Sequence, residues 1–277
     1  MGKLLATVTT TKEVKKSQKK QKTNTLHTII FGSLTPTILI MLWELLCRQG
    51  VFPTYQLPAP SVILKTIITL FQDGSLWTHI GITTLRVFIA FILGSALAVI
   101  LGSFVGLYKK AEQLFDPMIQ AFRSIPSLAW VPLFILWMGI GETSKITMIA
   151  VGVFFPVYLN TVSGITGVDR KLIEVGKMYG LSSFQLIWRV ILPAALPLFL
   201  VGLRSGLGLG WMFVVAAELM GASKGLGYLL VLGQNTLSPE LIIASILLFA
   251  IIGKLSDWML KLVEKRTLTW QDGFVQQ

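Results

Sequence analysis

Charged side chains are scarce in this chain. They make up 13% of its 277 residues, against 53% hydrophobic residues, where a soluble domain carries about 25% charged residues. That shortage excludes a water-soluble globular protein and leaves an integral membrane protein. Histidine and cysteine are scarcer still, at two and one. With Cys47 alone, no intramolecular disulfide can form. With only His27 and His79, no Cys/His cluster has metal-ligand spacing. No nucleophile–base pair suggests catalysis. The GxxxxGKS/T phosphate loop is missing, so the chain should not hydrolyse ATP and is not expected to be an enzyme. Period-2 alternation is missing too, and the apolar runs are too long for barrel strands, which leaves helices as the spanning structure. No internal repeat is visible.

Long apolar runs are what the chain does have. A spanning helix needs about 20 apolar residues at 1.5 Å rise. Six stretches meet or approach that length: Thr28–Cys47, Thr84–Leu107, Met118–Met138, Lys145–Ile165, Leu196–Met220 and Leu241–Leu260. The expected fold is therefore an all-α integral membrane protein with six transmembrane helices. The first run exceeds a signal-peptide core and lacks a small-x-small cleavage site, so it is read as retained. Position six is Ala6, where a myristoylation signal after Met1-Gly2 would want Ser or Thr.

The net charge is +11, and its distribution decides what it means. Lysines 12, 15, 16, 19, 20 and 22 precede the first span. Lys109, Lys110 and Arg123 lie between spans two and three, Arg170, Lys171, Lys177 and Arg189 between four and five, and Lys261, Lys265 and Arg266 after span six. Six spans put all four segments on one side, as the positive-inside rule requires of the cytoplasm. Both termini are expected there, with the chain multi-pass in a bacterial inner membrane. The basic tail is a topology determinant that can also meet anionic lipid; nucleic-acid binding is not expected. The organisation reads as a basic tail (1–27), a first span with an external segment (28–82), a core of five spans (83–262) and a C-terminal tail (263–277). Within the external segment, Leu57-Pro58-Ala59-Pro60-Ser61 is a turn, and Ser61–Gln72 is expected to be a surface helix capped by Ser61.

The polar break at 167–193 reads as two short amphipathic helices. Leu172, Val175, Gly176 and Tyr179 share one face, and Gly180 supplies a left-handed stop. Ser182 or Ser183 can cap the second helix, whose apolar face is Phe184, Ile187, Trp188 and Ile191. Pro193 should discourage continuation. The segment resembles the EAA loop of permease subunits of bacterial ABC importers: Glu174-Val175-Gly176, then Gly180, then Val190-Ile191-Leu192-Pro193. Val175 and Gly176 replace the usual alanines, and Gly176 should loosen the helix by about 0.5–1 kcal/mol. An ordinary cytosolic loop would show the same local spacing. Two further stretches extend the likeness. Ile125-Pro126-Ser127-Leu128-Ala129-Trp130-Val131-Pro132, followed by Trp137-Met138-Gly139-Ile140-Gly141, and Leu57-Pro58-Ala59-Pro60-Ser61 resemble the nitrate, sulfonate and taurine branch. The two prolines predict a third span that is kinked or begins late.

The resemblance implies a permease that pairs with a second copy, as a homodimer, and with two copies of an ABC ATPase subunit. An extracytoplasmic solute-binding protein would deliver the solute. ATP and Mg would be bound by the ATPase, with no cofactor in this chain. Glu174, Val175, Gly176, Gly180, Leu192 and Pro193 would then couple to the ATPase. Relatives in this branch serve sulfonates, taurine, nitrate, pyrimidines and other solutes, so the solute stays open. A stand-alone secondary transporter or a channel is the alternative; it would want paired broken helices, mid-membrane acids or a filter.

Small and polar residues mark faces within the spans. Gly94, Ala98, Gly102 and Gly106, and Gly202, Gly206 and Gly210, recur at steps of four, as helix-packing stripes do in lipid. They can pack within one subunit or between two. Arg204, Trp211 and Glu218 recur at steps of seven on a face roughly opposite Gly206. They either line a translocation path or, for the two charges, snorkel to opposite interfaces. Asn160 either lines the same path or makes an interhelical hydrogen bond.

Overall fold

The computed structural model describes residues 34–268. The basic tail, the start of the first expected span and residues 269–277 lie outside them. The chain divides into two compact units at Lys65/Thr66. In the first unit, α1 covers 34–48, and α2 begins at Pro60 and runs to Gln72 across the boundary. The cap of α2 differs from the expectation. Glu44 on α1 accepts hydrogen bonds from the Ser61 backbone N–H at 3.0 Å and the Ser61 hydroxyl at 2.8 Å. Ser61 is thus inside the first turn, where a carboxylate is a better acceptor for an orphan N–H than its own hydroxyl. Glu44 also holds Arg48 at 2.7 Å.

Among its described residues the second unit is built of helices joined by short turns and loops. It comprises α3 (Ser75–Leu107), α4 (Lys109–Arg123), α5 (Val131–Met138), α6 (Glu142–Thr166), α7 (Arg170–Met178), α8 (Ser183–Leu186), α9 (Leu192–Leu219), α10 (Leu226–Asn235) and α11 (Pro239–Thr267). Among the described residues four helical stretches are long and apolar enough to cross a membrane: Ser75–Leu107, Glu142–Thr166, Ser183–Leu219 and Pro239–Thr267. They correspond to the second, fourth, fifth and sixth expected spans. The third is not one helix. After α4 the chain breaks at Ser124–Pro126, makes a 3-10 turn over Ser127–Trp130, and resumes as α5. Pro126 and Pro132 lack the N–H that a continuous helix needs. The short helix α10 had no counterpart in the sequence reading.

α6 is the middle of the bundle, with α3 on one side and α9 on the other. Both glycine stripes face it. A Cβ at Gly94 would stand 2.5 Å from the Ala150 carbonyl oxygen, one at Gly102 3.1 Å from Thr161 Cβ, and one at Gly106 3.0 Å from Ile165 Cβ. Ala98, between them, is fully buried. From the other side, a Cβ at Gly202 would stand 2.7 Å from Asn160 Cβ, at Gly206 2.8 Å from Val157 Cγ2, and at Gly210 3.1 Å from Val153 Cγ2. Val153, Val157 and Tyr158 are fully buried in this contact. With no water to drive apolar surfaces together, dense contact of this kind is what holds helices in lipid.

α4 turns back along α3. Phe104 and Phe115 meet with ring centroids 6.5 Å apart, and the two helices share a groove that reaches Leu93 on α3 and Phe122 on α4. Leu93 stands fourteen positions from the Leu107 end of α3, about 21 Å at 1.5 Å per residue. Arg123 therefore sits far from the α3–α4 turn, not at its level.

Gly94→Ala should destabilise the fold by about 1–3 kcal/mol, because the new methyl meets backbone that cannot yield. Gly81, on the same helix, has nothing within 4 Å of its virtual Cβ, and Gly81→Ala should be neutral or stabilising. Thermal unfolding in detergent compares the two; equal melting temperatures would contradict the assignment of the stripe to close packing.

Candidate functional site

Three features carry chemistry: an exposed elbow, a buried polar network and an open cavity.

The elbow is α7, a turn and α8. Asp169 caps α7 by accepting from the Lys171 N–H at 2.9 Å. Arg170 and Glu174 pair at 3.0 Å across one exposed turn. Gly180 has φ +72°, the left-handed conformation that side chains with a Cβ resist. Ser182 then makes a capping box with Gln185, accepting from its N–H at 3.3 Å and donating its own N–H to the Gln185 side chain at 3.0 Å. Gly176 is buried, and a Cβ there would stand 2.6 Å from Leu186 Cδ1. That contact explains the glycine, although the tip of a leucine can shift for a methyl. The outer surface of the elbow is apolar and bare: Met178 is 87% exposed, Tyr179 83% and Phe184 70%.

Pro193 does not end the second helix. α8 passes through a π-helical stretch, Ile187–Ile191, into α9 without interruption. The Leu192 N–H donates to the Ile187 carbonyl, a bond one residue longer than in an α-helix. This wider turn makes room for the proline ring and absorbs the missing N–H. The elbow is thus continuous with the longest apolar helical stretch among the described residues.

The face Arg204–Trp211–Glu218 is not a lining surface along its length. Glu218 is fully buried. Its carboxylate accepts from Arg86 Nη1 at 2.7 Å, from the Thr83 hydroxyl at 2.8 Å and from the Gly227 N–H at 2.7 Å. Arg86 in turn grips Glu142 through Nε and Nη2, both at 2.6 Å, and donates to the Lys224 carbonyl at 2.8 Å. Lys145 reaches Glu142 at 3.3 Å. Thr83 accepts from the Leu226 N–H at 2.8 Å, and His79 Nδ1 accepts from the Gly225 N–H at 3.1 Å. The segment around Gly225 wraps so closely that a Cβ there would stand 2.6 Å from Glu218 Oε1. One network therefore ties α3, α6, α9 and α10. Trp211 is buried and donates to the Ser256 hydroxyl at 2.8 Å. Arg204, partly exposed, pairs with Asp257 at 3.1 Å and Glu264 at 2.9 Å on α11. The period of seven marks a face packed on α11 and α10. Sequence reasoning missed Arg86, Thr83, His79 and Glu142; in the sequence they stand far from Glu218.

Asn160 lies elsewhere. It lines an open cavity of about 530 Å³ together with Arg123, Ser124, Trp130, Phe155 and Ser205. The Asn160 amide donates to the Pro156 carbonyl at 2.8 Å, so it makes an intrahelical bond rather than an interhelical one. Ser205 also lines a smaller recess of about 340 Å³ with Val201, Arg204 and Asp257.

Comparison with known proteins gives these features a context. The model of the family described as "Binding-protein-dependent transport system inner membrane component" matches residues 94–269. An aliphatic sulfonates transport permease protein, SsuC, of Bacillus subtilis (strain 168) is 42% identical over 88% of this chain and 88% of its own length. The SsuC of Escherichia coli (strain K12) is 40% identical over 86% of this chain and 91% of its own length. The taurine transport system permease protein TauC of the same strain is 35% identical over 88% and 90%. In structure, the chain is similar to a subunit of the MetNI methionine ABC transporter in an inward-facing conformation. The TM-score is 0.60 at 19% identity, covering 71% of this chain and 95% of that one, a likeness of fold.

The Arg86–Glu218 pair should behave as one unit. Arg86→Ala or Glu218→Ala should each cost about 3–5 kcal/mol, because each strands a buried charge. The double variant should cost much less than the sum. A double-mutant cycle on detergent melting checks this, and additive losses would contradict the coupling.

Proposed function

The chain belongs to the family of binding-protein-dependent transport system inner membrane components, and on that premise we propose that it is the permease subunit of an ATP-driven importer of small sulfonates, the solute class in the names of its SsuC and TauC relatives. In this reading a second copy completes the permease and two ATPase subunits bind the elbows. ATP and Mg stay on those subunits, and an extracytoplasmic binding protein delivers the solute. Both termini and the elbow face the cytoplasm.

The observation that carries the reading is the elbow. Bare apolar side chains on a rigid, doubly capped turn fit a partner's cleft, and the π-helical joint makes them one lever with α9. A push on the elbow is delivered to the helix that carries Ser205. The cavity, lined on α6 by residues from Val151 to Asn160 and on α9 by Ser205, Leu209 and Phe213, is then the stretch of translocation path that this subunit contributes. The lever acts as a rigid body, so alternating access needs no covalent chemistry here.

Gly180→Val tests the coupling, since a β-branched residue resists φ > 0. The variant should insert and keep its fold, yet lose at least tenfold in ATPase copurification and in ATP-dependent uptake in proteoliposomes. Association and uptake at the unaltered level would reject the elbow as the coupling element.

A further inference from the structure

α9 has three faces, and two of them are filled. Gly202, Gly206 and Gly210 press one against α6, while Arg204, Trp211 and Glu218 turn the second to α11 and α10. The third is bare. Ala194, Leu198, Val201, Ser205, Gly208 and Met212 are all exposed, and they recur at alternating steps of four and three. Leu219, also exposed, prolongs the row by one more heptad. This is the spacing of a seam along which one helix meets another at a shallow angle. Gly208 has nothing within 4 Å of its virtual Cβ. With Ser205, it makes the middle of the row small enough for a second backbone to come close.

Lipid is a poor cover for this face, because charge flanks it on both sides. Ser205, at the midpoint of α9, borders two hollows. One is the cavity that Arg123 lines, and the other is the recess that Arg204 and Asp257 line. At about 3.6 residues per turn, the cavity residues Leu209 and Phe213 lie to one side of the row and Arg204 to the other. The two flanks are opposite in sign. Arg123 is exposed, and among the described residues no acidic side chain pairs with it. On the other flank Asp257 and Glu264 share the single Arg204, which leaves one carboxylate in surplus. Among the described residues Lys254 and Lys261 of α11 form no ion pair with either. Ionised side chains beside the middle of a span are costly against lipid and favourable against protein of opposite charge.

We propose that the bare face of α9 is the seam of a two-fold dimer of this chain, in which Arg123 of each copy pairs with Asp257 of the other. The inference rests on the importer reading for the presence of a second copy, and goes beyond it by naming the face and the ion pair. A two-fold axis along the membrane normal keeps every residue at its own depth and sets one flank of each copy against the opposite flank of the other. Arg123 and Asp257 both stand at the level of Ser205, so the positive flank meets the negative flank twice. α9 meets its equal at Gly208, and the partner's Asp257 closes the cavity beside Arg123. A guanidinium already suits a carboxylate in geometry as well as charge.

The test is disulfide cross-linking of the full chain in its membrane, in a Cys47→Ala background. Gly208→Cys should form a covalent dimer on mild oxidation, and Ile100→Cys, exposed on α3, should not. Two differently tagged chains expressed together, one carrying Arg123→Cys and the other Asp257→Cys, should cross-link to each other. Arg123→Glu should lower copurification of differently tagged copies about tenfold, and adding Asp257→Arg to the same chain should restore it. Should the charge variants aggregate on size exclusion, the two cross-links decide alone. Copies that copurify while either cross-link fails to form lie on another face, with lipid on this one, and overturn the proposal. Association unchanged in Arg123→Glu, or a cross-link at position 100 equal to that at 208, overturns it too. An ATPase that copurifies with a permease lacking both cross-links leaves the importer and removes the seam. Both cross-links in a permease that recruits no ATPase leave the seam and remove the importer.

Discussion

The structure depends on how closely α3 and α9 approach α6. In hydrocarbon, neither partner gains by hiding apolar surface from water, so contact density does the holding. Seven small residues on two helices allow it, and the smallest separation involves backbone, with the Ala150 carbonyl oxygen 2.5 Å from a virtual Cβ on Gly94. The consequence reaches the cavity. Gly202 lets Asn160 sit against α9, with 2.7 Å between Asn160 Cβ and a virtual Cβ on the glycine. Asn160 and Ser205 thereby come to line one space. A larger residue at 202 would push apart the two helices that form the cavity wall.

The same solvent sorts the charges. An ion inside an apolar bundle needs partners, and the chain supplies them at Glu218, Arg86, Glu142 and Arg204 with short, directed hydrogen bonds. Those residues act as structural rivets. Glu218 in particular fastens the segment between α9 and α10, through the Gly227 N–H and the shared Thr83 hydroxyl. Arg123, exposed at the end of α4, stands apart from this pattern: among the described residues no acidic side chain pairs with it. The elbow runs through the π-turn into α9, which packs beside α6 and carries Ser205 on the cavity wall, so elbow and cavity share one helix.

What was legible in the sequence was local. The turn at Gly180 and the cap at Ser182 follow from the chemistry of four or five adjacent residues, and both stand where the pattern put them. The glycine stripes follow from one helical period. What was not legible needed either distance or compensation. Arg86 meets Glu218 across 132 positions, a pairing no spacing rule reveals. The period of seven in Arg204–Trp211–Glu218 identifies a face but not what covers it, and α11 and α10 cover it. Pro193 suggested a helix end, but the π-turn before it supplied a continuous alternative. In the third span the prolines foretold a break, and the chain breaks after α4 at Ser124–Pro126.

The most direct measurement is thiol accessibility along α6 and α9 in a Cys47→Ala background. Asn160→Cys and Ser205→Cys occupy the cavity wall, while Val214→Cys lies in the fully buried core. In the assembled transporter a water-soluble thiol reagent should label positions 160 and 205 at rates that change with nucleotide state, and should leave 214 unlabelled. Silence at 160 and 205 in every state, or labelling of all three alike, would contradict a water-accessible path along this face.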